Sequence, residues 1–213
     1  MSESDTESDD ADEKYVDNLI RERENAKKNA AARKKVVVPR RRSSRARGLN
    51  QLVIHQNTPK NGQCLYLAVL AATKFKGIEP GTTVTTATGL RQAILDTPRL
   101  PAYLPAEMQA EVLQRIQRGI TTGSTKGGVG RDAWAGEEEI YMIATLYKLD
   151  IVIINFQKNR ICNATDFTST DRQIILAYDG EPPNEHYDWC KLPERTTVED
   201  LRKSVNKYHN LKF

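Results

Sequence analysis

The sequence lacks any stretch able to cross a bilayer. Its apolar runs, Ile151-Val152-Ile153-Ile154 among them, fall far short of the roughly 20 residues a spanning helix needs. No apolar segment follows the acidic N-terminus, so a secretory signal is not expected. Cysteine is scarce. Cys64, Cys162 and Cys190 are odd in number and lack the paired spacing of a zinc site, so neither a disulfide framework nor a metal or other cofactor is expected. The expected setting is intracellular and reducing, cytoplasmic or nuclear, which leaves a thiol available for chemistry. A phosphate loop is also missing: the glycine-rich stretch from Gly119 to Gly130 contains Lys126 but not the glycine-spacer-glycine-lysine-hydroxyl order, and no strand precedes it.

What is present divides near Gly48. Of 32 Lys/Arg and 28 Asp/Glu, residues 1–48 hold 13 and 10, leaving 19 and 18 for the remainder, so the basic character of the chain comes mainly from its first segment. Residues 1–13 (MSESDTESDDADE) have nothing apolar to bury and are expected to stay disordered. Tyr15, Val16, Leu19 and Ile20 lead into an alanine-rich stretch that is helical only transiently. The cationic run PRRRSSRARG at 39–48 reads either as a nuclear-import or nucleic-acid contact or as a solvated linker. Residues 1–48 are therefore read as a disordered acidic-then-basic tail and 49–213 as one domain, about 165 residues being enough for one sizeable core.

In that domain CLYLAVLAATKF, 64–75, is apolar nearly all round and predicts a helix buried on most sides, entered through a turn at Asn61-Gly62. Apolar spacing predicts further helices near 88–96 and 105–118, and another over GEEEIYMIATLYKL, where Ile140, Ile143, Ala144 and Tyr147 share a face. The Gly-rich stretch between them reads as a mobile loop. Two β-branched runs, 151–156 and 173–178, predict core strands. Thr197 with Asp200 three residues on marks the start of a last helix carrying Leu201, Val205 and Tyr208 on one face. The order predicts an α/β or α+β domain, helices packed on a small central sheet.

Cys64 is the most informative residue. The turn Lys60-Asn61-Gly62-Gln63 delivers it to a helix N-terminus, where unpaired N–H groups and the positive end of the dipole stabilise a thiolate, the reactive form. The same N–H groups can face a carbonyl oxygen as it gains negative charge, and Gly62 permits close approach. By itself Cys64 is equally a small buried hydrophobe. In Asn184-Glu185-His186-Tyr187-Asp188-Trp189-Cys190, His186 and Asp188 fall on one side of an extended segment. A carboxylate there can fix the imidazole tautomer and leave the other ring nitrogen for a thiol. Alone, this is an exposed histidine beside a solvated aspartate. His55 and His209 read as surface or packing residues.

Three segments resemble, in order, the motifs of the ovarian-tumour (OTU) family of cysteine peptidases and deubiquitinases. NGQCLYLAVLAAT is similar to its nucleophile motif, WAGEEEIYMIATLYKLDIVII to its central segment, and EHYDWC to its histidine motif. The resemblance implies a papain-type cysteine protease fold with Cys64 as nucleophile, His186 as base and later acid, and Asp188 orienting His186. It implies oxyanion stabilisation from the loop of Asn61, Gly62 and Gln63, and packing or helix-start roles for Trp134 and Glu139. The family usually has aspartate where this chain has Asn61, which brings no charge. The implied substrate is a conjugate of ubiquitin or a relative, cleaved by a monomer.

Other readings stay open at this point. One is an OTU-like processing protease of viral or mobile-element origin. Another is a weakened, non-catalytic ubiquitin-binding module whose basic tail contacts nucleic acid or another acidic partner. Trp189 shields the catalytic hydrogen bond or closes the core edge, and the loop from Gly119 to Gly130 rims the cleft or merely connects.

Overall fold

The computed structural model describes residues 53–122, 130–156, 158, 160–165, 167, 171–179 and 186–209. The tail at 1–48, positions 123–129 of the Gly-rich stretch, the turn at 180–183 and residues 184 and 185 lie outside these, as do the side chains of His55, Val205, Tyr208 and His209. In chain order the elements are β1 (Ile54–Gln56), α1 (Cys64–Lys76), α2 (Ala87–Asp96), α3 (Ala106–Thr122), a single 3₁₀ turn (Arg131–Ala133), α4 (Glu137–Tyr147), β2 (Asp150–Asn155), β3 (Arg160–Asn163), β4 (Gln173–Asp179), β5 (His186–Lys191) and α5 (Val198–His209). The class is mixed α+β. The five strands lie in the order β1-β5-β4-β2-β3, with β2 parallel to β4 and the other pairs antiparallel.

The unbroken apolar character of the two predicted strands follows from burial on both faces of the sheet. On one face Ile151, Ile174, Leu176, Tyr187 and Trp189 join α1, α2 and α4 in the larger core. On the other, Val152, Ile154, Ile175, Ala177 and Cys190 pack with Val53 and with Val198 and Leu201 of α5. Helix α1 is buried at every position from Cys64 to Thr73, as its all-round apolar sequence requires. It stops at Gly77, whose left-handed φ of 71° lets the Gly77 and Ile78 N–H groups close back on the Lys74 and Thr73 carbonyls. Among the described residues no helix is long and apolar enough to cross a membrane.

Local chemistry fixes the other helix starts. Thr86 accepts the Gly89 N–H at the head of α2, and Thr197 and Asp200 satisfy each other's N–H groups at the head of α5. At α4, Glu139 accepts the Gly136 N–H at 2.9 Å and is gripped by Arg115 of α3 through two bonds of 2.9 and 2.7 Å. A fully buried carboxylate is tolerated there because both oxygens are satisfied by charge-assisted bonds.

The glycine-rich stretch is a correction. Gly119 through Thr122 are the last turn of α3 and not part of a loop. Gly119 is buried with Val112 and Ile116 on one helix face, where its missing side chain makes room for the guanidinium of Arg91. Arg91, wholly buried, stacks 4.2 Å from the Tyr66 ring centroid and donates from Nη2 to the Ala133 carbonyl at 3.0 Å. A glycine in a helix usually signals an ending; this one is held by what packs against it.

Candidate active site

The segment Thr58–Gln63 enters α1 through two local devices. Gly62 takes φ 80°, a left-handed conformation that other residues rarely adopt. The Asn61 side-chain oxygen then accepts the Gln63 N–H at 3.1 Å. An acceptor oxygen is what this turn uses, and an amide supplies one as a carboxylate would. Of the N–H groups expected to face an oxyanion, that of Gln63 is therefore turned toward Asn61. Cys64 follows as the first residue of α1, 8% exposed, at the end where the helix N–H groups converge.

Strand β5 brings the second group. It lies between β1 and β4 and begins at His186, which pairs with Asp179 at the end of β4. Helix α1 packs over β5, so the start of the helix and the start of the strand meet. The Tyr187 N–H approaches Cys64 Sγ at 3.5 Å, which sets the sulfur beside the residue that follows His186. His186 and Asp188 share one side of the strand, and His186 Nε2 lies 2.9 Å from Asp188 Oδ1. With Nε2 taken by the carboxylate, Nδ1 is the nitrogen left for the sulfur.

Thr58, which carried no signal in the sequence, closes the group from the loop side. Its N–H donates to Asp188 Oδ1 at 2.7 Å, and its hydroxyl reaches the same oxygen at 3.1 Å and the Tyr187 carbonyl. That hydroxyl is also 3.4 Å from His186 Nε2. The partners lie about 130 positions away, beyond the range of local pattern.

The electrostatics follow from these contacts. Burial opposes a charge on His186, but hydrogen bonds to Asp188 and Cys64 and the attraction of both groups outweigh it and push the imidazole up to about 9. Burial also opposes the Asp188 carboxylate. The bonds from His186 and from the Thr58 N–H and hydroxyl overcome that and hold it below the usual range. The imidazole therefore carries its proton through the neutral range, opposite an ionised carboxylate. Burial, with Asp188 adding to it, pushes the Cys190 thiol up to about 12, and burial raises that of Cys162.

Of the two expected substrate contacts, Trp189 is buried in the core, and positions 123–129 of the loop lie outside the described residues. Trp189, 4% exposed, points to the α1 side of β5, where its ring stacks 5.0 Å from Phe75 in the larger core. Alternation along the strand puts it on the face opposite His186 and Asp188, so it closes the core edge and does not cover their hydrogen bond. Gly119 lies within α3, and of the expected loop rim only Gly130 remains among the described residues beyond that helix. A cleft of about 340 Å³ does open beside Tyr187, lined also by Gly136, Glu137, Asn155, Lys158 and Tyr178. Among the described residues no cluster of three His, Cys, Asp or Glu could hold a metal ion.

No family model matches the sequence, and no curated protein matches it. Among solved structures, the fold is similar to the crystal structure of an OTU deubiquitinase from Wolbachia pipientis wMel, with a TM-score of 0.45 and 14% identity, covering 71% of this chain and 95% of that one.

Proposed function

We propose that this chain is a cysteine peptidase of the OTU type that hydrolyses the isopeptide or peptide bond after the C-terminus of ubiquitin or a ubiquitin-like protein. The observation that carries the reading is the position of the Cys64 sulfur, 3.5 Å from the Tyr187 N–H and so beside the His186–Asp188 pair, whose side chains lie 2.9 Å apart. A thiol, an imidazole and a carboxylate in that order can activate a nucleophile and return a proton to a leaving group. The choice of substrate rests on the three motifs NGQCLYL, WAGEEEIYM and EHYDWC, which in residues and order resemble the OTU pattern.

In this reading the Cys64 thiolate attacks the carbonyl carbon of the scissile bond. Negative charge develops on the carbonyl oxygen and is met by N–H groups of the Asn61–Cys64 loop at the α1 N-terminus other than that of Gln63, which Asn61 holds. The imidazolium of His186 gives its proton to the departing lysine amine, and the C–N bond breaks to leave a thioester on Cys64. Water then attacks the thioester while neutral His186 takes up a proton, regenerating the thiolate-imidazolium pair and releasing the free C-terminus. Asp188 holds the ring and balances its charge throughout.

Hydrolysis of ubiquitin carrying a fluorophore as a C-terminal amide tests the assignment. Turnover that disappears in Cys64→Ala supports it; turnover that survives this substitution rejects it.

A further inference from the structure

We propose that Thr58 is a positioning residue of this site, acting through Asp188: it clamps the carboxylate that orients His186 and ties the nucleophile loop to strand β5. The proposal rests on the peptidase reading above. Three contacts carry it. The Thr58 N–H donates to Asp188 Oδ1 at 2.7 Å, and the single hydroxyl proton is shared between that oxygen, 3.1 Å away, and the Tyr187 carbonyl on the same strand. His186 Nε2 donates to that same Oδ1 at 2.9 Å, so the atom that receives the imidazole is the atom Thr58 holds. The residue is 6% exposed, which keeps water from competing for these bonds.

The sequence around Thr58 makes it stiff. Pro59 follows, and a residue before proline is disfavoured from helical backbone and pushed toward extended conformations. Threonine is also β-branched, so few side-chain rotamers compete with the one seen. Both donors are therefore aimed before substrate arrives. Six positions further on, the same loop supplies Cys64, so one short segment presents the nucleophile and secures the group that orients its partner. Without the clamp, Asp188, which is partly exposed, gains rotamers that turn Oδ1 away from the ring.

Valine at this position keeps the shape and the backbone N–H and removes only the hydroxyl; serine keeps the hydroxyl. With the ubiquitin-fluorophore substrate, Thr58→Val is expected to lower kcat about tenfold with KM changed by less than about twofold, and Thr58→Ser to recover most of the loss. In an Asp188→Ala background the valine substitution should cost nothing further, because its effect passes through the missing carboxylate. A second readout needs no ubiquitin: alkylation of Cys64 by iodoacetamide, resolved by peptide mass, should slow about fivefold in Thr58→Val and not in Thr58→Ser, while Cys162 keeps its rate. If the valine protein does not fold, Thr58→Ala takes its place in both assays. Unchanged kcat and unchanged Cys64 alkylation in the hydroxyl-less variant overturn the proposal, as does a loss that adds in full to that of Asp188→Ala. A wild-type chain inert toward ubiquitin whose Cys64 alkylation still depends on the Thr58 hydroxyl upholds the clamp and removes the substrate assignment.

Discussion

Tyr187 offers its backbone N–H to the sulfur of Cys64 at 3.5 Å, across 123 positions of sequence. The contact requires the start of α1 and the start of β5 to lie side by side. That juxtaposition brings the thiol beside the preceding residue, His186. Everything proposed about chemistry descends from it.

The raised imidazole yields a pH prediction with a definite sign. His186 is pushed up to about 9 from an ordinary value near 6.5, so its contribution to stability is fully present below about 6.5 and is lost as pH rises through about 9. Asp188, held low, contributes above the ordinary carboxylate range and loses its contribution as pH falls through its depressed value. Denaturant midpoints measured across pH should therefore fall on the alkaline side, and His186→Ala should flatten that limb. Turnover should fall over the same alkaline range, since the leaving amine needs the His186 proton, and His186→Ala should reduce kcat by about 10²–10⁴-fold. A variant that keeps near-normal kcat removes the histidine from the mechanism.

Asn61 should tolerate a carboxylate. Its visible task is to accept the Gln63 N–H, which aspartate does equally well. Asn61→Asp is expected to leave kcat within about threefold of wild type or to raise it, whereas Asn61→Ala, which removes the acceptor, should cost about 1 kcal/mol of transition-state stabilisation or more. Steady-state kinetics of the two variants decide this. A large loss in Asn61→Asp contradicts the acceptor role.

Gly119 sets two magnitudes against each other. Alanine in a helix interior is favoured over glycine by about 1 kcal/mol, but a methyl group here would collide with the guanidinium of Arg91. That group is buried and held by Tyr66 and Ala133, so it cannot swing into solvent at small cost. Overpacking should win, and Gly119→Ala should destabilise the domain by about 1–3 kcal/mol in urea unfolding. A variant as stable as wild type would mean that Arg91 has another place to go.

The sequence was legible where one physical demand dominated. An apolar stretch with no polar face can only be a buried helix, and α1 is one; continuous β-branched runs suit strands covered on both sides, and β2 and β4 are these. Strands β1 and β3 were not legible. Three residues, Ile54-His55-Gln56, and four, Arg160-Ile161-Cys162-Asn163, owe their conformation to a neighbouring strand and not to a pattern of their own. Gly119 reads as the start of a loop because the arginine that needs its missing Cβ lies on another helix. Trp189 lies three residues after His186, and strand alternation sends it to the other face. Thr58 could not be found at all, because polar contacts over about 130 positions leave no local trace. Cys64, His186 and Asp188 stood out because turn, helix start and i,i+2 spacing each constrain neighbours.

The central claim is that Cys64 is a nucleophile directed at the ubiquitin C-terminus. Incubating the full chain with ubiquitin bearing a C-terminal electrophile, and locating the adduct by mass spectrometry, tests it most directly. One adduct is expected, on Cys64, absent in Cys64→Ala and strongly slowed in His186→Ala. Labelling at Cys162 or Cys190 in its place, or no adduct on folded wild-type protein, contradicts it.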